Sequence, residues 1–414
     1  VKEIGSTPEN RHEKLRLDAI DGLRAIAALW VLSYHMWVRY LPGLTANHLD
    51  HGWWMAPLGW CRYGRFAVDF FIVISGFCLM LPVIRAGNTL RGGVLHFWKK
   101  RARRILPTYY AAMLVTLPLC WLFIDWSRWY VTLKGFALHL ILLQDVYNNN
   151  EISSIYWSIA VECHIYLLFP LLVLLSRRVG PWGTFFIGSA AGAFLYGVLR
   201  DTPYIGCTPQ YLILFSLGML SANLCLSPKK KSLSWGAPAV LLSTALLVLC
   251  GTGEVERIQT ALGDWSALAL DCFVGACAAV VILSAAQAGG IMARLFGLRP
   301  LVWIGGFSYS LYLVHAPIHF ICYKTIWTLM QHHVPTGIAY PLFILISVPI
   351  ILAGSLVFYL LFEAPFLAAG SGGVLEEFAR KVRAQSPLLM GMDRLIGRWS
   401  KQPASANAGT PTPA

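Results

Sequence analysis

Ile20 to Arg39, IDGLRAIAALWVLSYHMWVR, is apolar enough to cross a bilayer yet carries Arg24 and His35 inside the apolar run. Eleven residues at 100° each turn through about 1100°, within roughly 20° of a whole number of turns, and rise about 16.5 Å. Arg24 and His35 therefore share one face of a helix, about half a membrane thickness apart. Ionisable groups inside a span are expensive and face a protein interior or a water-filled site. Taken singly, each has a plainer reading: a snorkelling arginine and a core histidine with satisfied hydrogen bonds. The pair on one face is what marks a candidate site.

The rest of the chain carries the same membrane signature. Of 414 residues, 57% are hydrophobic and only 13% charged, with a mean hydropathy of +0.59. That balance is too apolar for a soluble domain of this length and indicates a polytopic membrane protein. The net charge of +13 comes in clusters beside apolar runs rather than as a stripe on a soluble fold, so it is topological and argues against a nucleic-acid partner. Most of the ten cysteines lie in apolar runs, without CxxC or Cys/His metal spacing, and read as small buried side chains. No metal is expected. Residues 1–16 are polar and charged and do not resemble a cleaved signal peptide.

Runs near the roughly 20 residues a bilayer requires fall at 20–41, 66–86, 105–125, 157–177, 182–199, 208–226, 236–252, 266–286, 300–323 and 340–363. The fold expected is an all-α transmembrane bundle of about ten spanning helices, plus one short re-entrant or interfacial helix at Leu133 to Leu143. Lys/Arg bias supports that count. If 133–143 does not cross, the basic clusters at Arg85 to Arg104, Arg177 and Arg178, Lys229 to Lys231, Arg294 and Arg299, and the C-terminal tail all share the side of the N-terminus. Both termini are then cytoplasmic. The expected organisation is an N-terminal tail at 1–16, a membrane domain at 17–366 and a largely disordered C-terminal tail at 367–414 ending in a Pro/Ala/Thr/Gly-rich run. Gly188-x-x-x-Gly192 suits close helix packing.

On this topology the polar residues form two layers. Near the cytoplasmic face are Arg24 and the i, i+3 pair Arg101 and Arg104, which can project from one helix face. Such a fork suits phosphate, which arginine holds bidentately. The plain alternative is positive-inside charge, which accounts for Lys99, Lys100 and Arg103. Nearer the outer face come His35, Asp69, Glu162 and His315, with His35 and Glu162 at comparable depth. A buried carboxylate near an imidazole can orient it and make it a better base. A lone intramembrane Glu equally suits a proton or ion site in a transporter, although no discontinuous-helix pair or half-to-half symmetry is visible in the sequence. Asp271, Glu363, His139, His164 and His319 read as structural or interfacial. Outward-facing Trp53, Trp54 and Trp60 suit either interface anchoring or stacking on sugar rings.

From about Leu17 to Pro365 the chain resembles the membrane acyltransferase 3 family of integral membrane O-acyltransferases. The resemblance rests on separated motifs in family order: LDAIDGLRAIAALWVLSYH (17–35), VDFFIVISGF (68–77), FWKKRARRILPTYY (97–110), WSIAVECHIYLLFP (157–170), FSLGML (215–220), FSYSLYLVHAPI (307–318) and FEAPF (362–366). It implies that His35 is the base or acyl-accepting nucleophile, with Arg24 its partner. It also implies that Arg101 and Arg104 handle acyl-CoA, that Glu162 is the motif's acid, and that His315 falls on the motif's histidine. Cys163 stands where many members carry a second acid, leaving Glu162 alone. The expected activity is transfer of an acyl group, acetyl above all, from acyl-CoA to a hydroxyl of a carbohydrate or glycolipid acceptor, in a bacterial inner membrane. His35 and Glu162 are then catalytic, Arg24, Arg101 and Arg104 bind the donor, and Asp69 and His315 support. The rival expectation is a transporter or conduit that hands the acyl group to a separate transferase.

Overall fold

The computed structural model describes residues 8–46, 59–123, 131–227, 234–287 and 289–368. The first residues of the N-terminal tail, Trp53 and Trp54, Lys229 to Lys231 and the C-terminal tail beyond residue 368 lie outside them. All regular secondary structure among the described residues is helical, with no strand. In chain order the helices are α1 (Pro8–Ala46), α2 (Arg65–Arg85), α3 (Gly93–Phe123), α4 (Leu133–Leu140), α5 (Trp157–Leu199), α6 (Tyr211–Leu226), α7 (Gly236–Gly251) and α8 (Glu254–Leu262). They continue with α9 (Ser266–Ala285), α10 (Ile291–Phe296), α11 (Arg299–Gly305), α12 (Ser308–Cys322), α13 (Thr328–His333), α14 (Thr336–Phe358) and α15 (Ala364–Ala368).

Among the described residues, five helical stretches are long and apolar enough to span a membrane, and six if α11 and α12 are one bent span. This falls short of the ten expected, and each difference has a local cause. α1 is long enough, but Arg24 and His35 dilute its apolar run, and α3 carries the Lys99–Arg104 cluster ahead of its charge-free run at 105–123. α7 has 16 residues, fewer than the ~20 a bilayer requires. The expected spans 157–177 and 182–199 both lie in α5, whose 43 residues would run about 65 Å if straight, twice a ~30 Å hydrocarbon layer. α5 is not straight, however: Gly180 breaks it with φ 77° and ψ 175°, just before Pro181. The expected span 300–323 is also broken, by a 76° bend between α11 and α12, a discontinuity that hydropathy does not reveal.

α2 is the centre of the bundle. Fifteen of its 21 residues are buried, as an all-round apolar helix requires. It meets α6 through two glycines that face each other's backbone. A Cβ at Gly76 would sit 2.2 Å from the Phe215 carbonyl oxygen, and one at Gly218 2.1 Å from that of Val73. The glycines of VDFFIVISGF and FSLGML are thus packing residues. The second half of α5 closes on α6 in the same way, with Gly188 and Gly192 against Ser216 and Ile213. The most apolar stretch within Ile338–Leu367, by contrast, has few buried residues.

α4 has eight residues, too few to cross, in keeping with an interfacial or re-entrant helix. The Thr132 hydroxyl caps it, accepting from the Gly135 N–H at 2.9 Å. Glu151 latches the segment by accepting from the Thr132 N–H at 2.7 Å, the Thr132 hydroxyl at 2.8 Å and the Asn149 amide at 2.9 Å. Slight burial pulls the Glu151 carboxyl upward, but these donors outweigh it and hold the group below the ordinary carboxylate range. The segment docks on α3 through the Tyr109 and Tyr110 hydroxyls, which donate to the His139 and Leu140 carbonyls at 3.1 and 2.8 Å.

Candidate active site

The middle of α1 brings Arg24 against α2. Its guanidinium pairs with Asp21 at 3.0 Å and donates to the Cys78 sulfur at 3.5 Å. The close seat of α1 depends on Gly22, where a Cβ would lie 1.8 Å from the Phe296 carbonyl oxygen. From α3, Arg101 reaches inward over the Phe97 ring at 5.9 Å and is half-buried, while Arg103 and Arg104 on the same turn are exposed. Arg101 lies within electrostatic reach of Tyr166, Arg104, Glu162 and Cys78. Its Nε is buried with no hydrogen-bond partner among the described residues.

Besides Asp21, two carboxylates face the three arginines. Glu162 on α5 accepts from the Ser75 hydroxyl at 3.2 Å and from the Tyr166 hydroxyl one turn on. The Ser75 and Tyr166 hydroxyls also share a 2.6 Å hydrogen bond. Glu363, buried at the end of a π-helical turn, Tyr359–Glu363, accepts from Ser310 and lies within electrostatic reach of Arg104 and Arg24. π turns occur preferentially at functional sites. Five elements, α1, α2, α3, α5 and α12, and the π turn after α14 thus converge on one charged layer.

Farther along α1, the half-buried His35 has its ring centre 5.0 Å from Tyr34 and 5.2 Å from His315 of α12. His315 is buried, and its Nδ1 lies 2.7 Å from the Tyr312 carbonyl oxygen and 3.1 Å from that of Leu311. Tyr312 in turn shares a 2.6 Å hydrogen bond with Ser158, packs its ring 5.9 Å from that of His315 and lies within electrostatic reach of Glu162.

The sequence-predicted residues therefore divide into three groups. Arg24, Arg101 and Arg104 converge with Glu162. His35 meets His315. Glu162 and His35, expected to act together, have different immediate partners: Ser75 and Tyr166 for the acid, Tyr34 and His315 for the imidazole. Asp69 stands apart, fully buried beside Arg65, Asp271 and Tyr211, where Arg65 pairs with Asp271 and Gln210 donates to Asp271 at 3.0 Å. That cluster joins α2, α6 and α9. Trp60 packs its ring 5.9 Å from Trp30 and accepts the Trp30 indole N–H at 2.9 Å, so it is engaged in packing. Sequence reasoning set Glu363 aside and missed Ser75, Tyr166 and Ser310. The signal for Tyr166 was present, since it lies four residues after Glu162 on the same helix face. Among the described residues, no group of three or more His, Cys, Asp or Glu could hold a metal ion.

Comparison with known families bears on this arrangement. Residues 17–360 match the family model described as an acyltransferase domain, Acyl_transf_3, across most of the chain. The chain belongs to the acyltransferase 3 family. Among characterised members, this acyltransferase 3 chain is similar to a putative peptidoglycan O-acetyltransferase, YrhL, of Bacillus subtilis, with 25% identity over 338 residues, 73% of this chain and 48% of the relative. It is similar to the O-acetyltransferase OatA of Staphylococcus aureus, with 26% identity over 337 residues, 75% of this chain and 52% of the relative. It is also similar to the peptidoglycan O-acetyltransferase OatA of Listeria monocytogenes, with 25% identity over 337 residues, 74% of this chain and 50% of the relative. The chain spans about half the length of these relatives. No solved structure matches it.

Proposed function

We propose that this chain is an integral membrane O-acyltransferase that moves an acyl group, acetyl in the first instance, from acyl-CoA to a hydroxyl of a carbohydrate acceptor. The observation that carries the reading is the convergence of Arg24, Arg101 and Arg104 on one layer, with His35 eleven residues along the same helix from Arg24. The diphosphate and 3′-phosphate of CoA suit three arginines, one with an unpartnered buried Nε. An extended phosphopantetheine arm reaches from that layer towards His35. Family membership supports the acyl chemistry, and the relatives' names favour a peptidoglycan-type or related glycan acceptor.

In this reading α1, α3, α7 and both halves of α5 cross the membrane along with the helices that meet the length and apolarity test. That gives ten spans, both termini on the cytoplasmic side and donor entry from the cytosol, in a bacterial inner membrane. Residues 17–366 form the membrane domain between two tails. The acceptor hydroxyl arrives from the outer side. His35 removes its proton as the oxygen attacks the thioester carbonyl, or first carries the acyl group itself. Glu162, held by Ser75 and Tyr166, balances the arginine layer and links it through Tyr312 to the imidazole pair. Asp69, in its own buried cluster, supports the α2–α6–α9 packing.

The test uses the purified full chain in detergent with acetyl-labelled acetyl-CoA and a soluble peptidoglycan oligosaccharide. Transfer without any partner protein is expected, and its absence would favour the conduit reading. His35→Ala should abolish transfer while the protein stays folded; full activity in that variant would sink the scheme. Label trapped on His35 by donor alone selects the covalent route, and intact single-turnover transfer without it selects direct attack.

A further inference from the structure

His315 carries a more specific message than proximity to His35. Its Nδ1 faces two carbonyl oxygens, Tyr312 at 2.7 Å and Leu311 at 3.1 Å. Carbonyls only accept hydrogen bonds, so Nδ1 must carry the hydrogen. In the neutral ring, Nε2 then holds a lone pair. That Nε2 is buried with no hydrogen-bond partner among the described residues, on a side chain only 1% exposed. A buried acceptor left unbonded is destabilising and calls for an explanation.

A neighbouring group able to supply a hydrogen is His35, whose ring centre is 5.2 Å away with the planes tilted by 48°. The other groups around the pair are Tyr34 on α1, and Tyr312 and His319 on the helix of His315. Phe71 of α2 closes the side of Tyr312. His35 is half-buried, and the outer torsion of a histidine is broad. A modest rotation of its ring therefore turns one N–H towards Nε2 of His315.

We infer that His315 is a tautomer-locked positioning residue for His35, accepting the His35 N–H at Nε2 so that the other nitrogen of His35 presents its lone pair to the acceptor hydroxyl. This rests on the acyltransferase reading of His35. In hydrolytic triads a carboxylate orients the imidazole; here a neutral imidazole does so without placing a further unpaired charge in the membrane interior. As the acceptor oxygen bonds to the thioester carbonyl carbon, its proton moves to the free nitrogen of His35. The positive charge that develops is shared across the hydrogen bond to His315. The carbon–sulfur bond then breaks, the same proton passes from His35 to the CoA sulfur, and both imidazoles return to their starting tautomers. The products are the O-acyl ester and free CoA thiol.

The experiment measures CoA thiol release by the full-length chain in detergent, with acetyl-CoA as donor and a soluble peptidoglycan oligosaccharide as probe acceptor. His315→Ala should lower kcat by about 100-fold or more, in the range of general-base contributions, with the KM for acetyl-CoA changed by less than about threefold. His315→Gln offers a side-chain oxygen to the same N–H and should recover part of the lost kcat. Wild-type kcat in His315→Ala overturns the inference. So does an equal loss in the Ala and Gln variants, because a role in packing alone makes no use of the acceptor. His35→Ala separates the two levels: activity there refutes the acyltransferase reading of His35, whereas an inactive His35→Ala beside a fully active His315→Ala refutes only the role of His315.

Discussion

At the scale of single residues, Arg101 is the sharpest probe of the donor layer. Its planar guanidinium offers a fork of donors, and its Nε is unpartnered and buried among the described residues. Lysine keeps the charge but loses the fork. Arg101→Lys is therefore expected to raise the KM for acetyl-CoA by about tenfold, roughly 1.4 kcal/mol of binding, while kcat stays within about twofold. Steady-state kinetics with varied donor read this directly, and an unchanged KM would remove Arg101 from the donor site. Arg24 and His35 were legible because helical spacing alone puts them on one face. Glu363 was not, because its place beside Arg104 and Ser310 depends on a π turn that no local pattern announces. Glu162 was legible as an intramembrane acid but not as a partner of Ser75, since counting residues along two helices fixes depth and leaves rotation open.

At the scale of elements, the segment from Thr132 to Glu151 makes a pH-dependent claim. The Glu151 carboxyl titrates below the ordinary value because of the donors around it. Its contribution to the latch is therefore complete above the unfolded value of about 4.3 and lost as pH falls through the lower folded value. Hydrogen exchange at the Thr132 amide should show protection near neutral pH that collapses at acid pH, whereas Glu151→Gln should show weak protection throughout. Protection in the variant equal to wild type would mean that other bonds hold the segment. Hydropathy located most of the helices, because spans are long and apolar. It could not show the 76° bend between α11 and α12 or the backbone geometry of the kink at Gly180 in α5. Both depend on backbone geometry at glycine-containing junctions, where apolar composition on either side is unchanged.

At the scale of the whole molecule, the ten-span reading places the C-terminal tail in the cytosol. A fluorescent protein fused there should fluoresce, and a phosphatase that works only outside the cytosol should be silent; the reverse pair would mean an odd number of crossings. The buried position of α2 also has a consequence for how the chain is made. Its glycine-faced partner, α6, begins only at Tyr211, well over a hundred residues after α2 ends at Arg85. At about 5–20 residues per second, α2 waits on the order of ten seconds for that partner. α2 can wait in lipid except at Arg65 and Asp69, whose partners on α6 and α9 emerge later. α1 cannot do so equally well, because Arg24 and His35 have no protein surface to face until later helices emerge. The order of synthesis therefore leaves α1, the helix of the proposed reactive imidazole, to be completed last by contacts from α12.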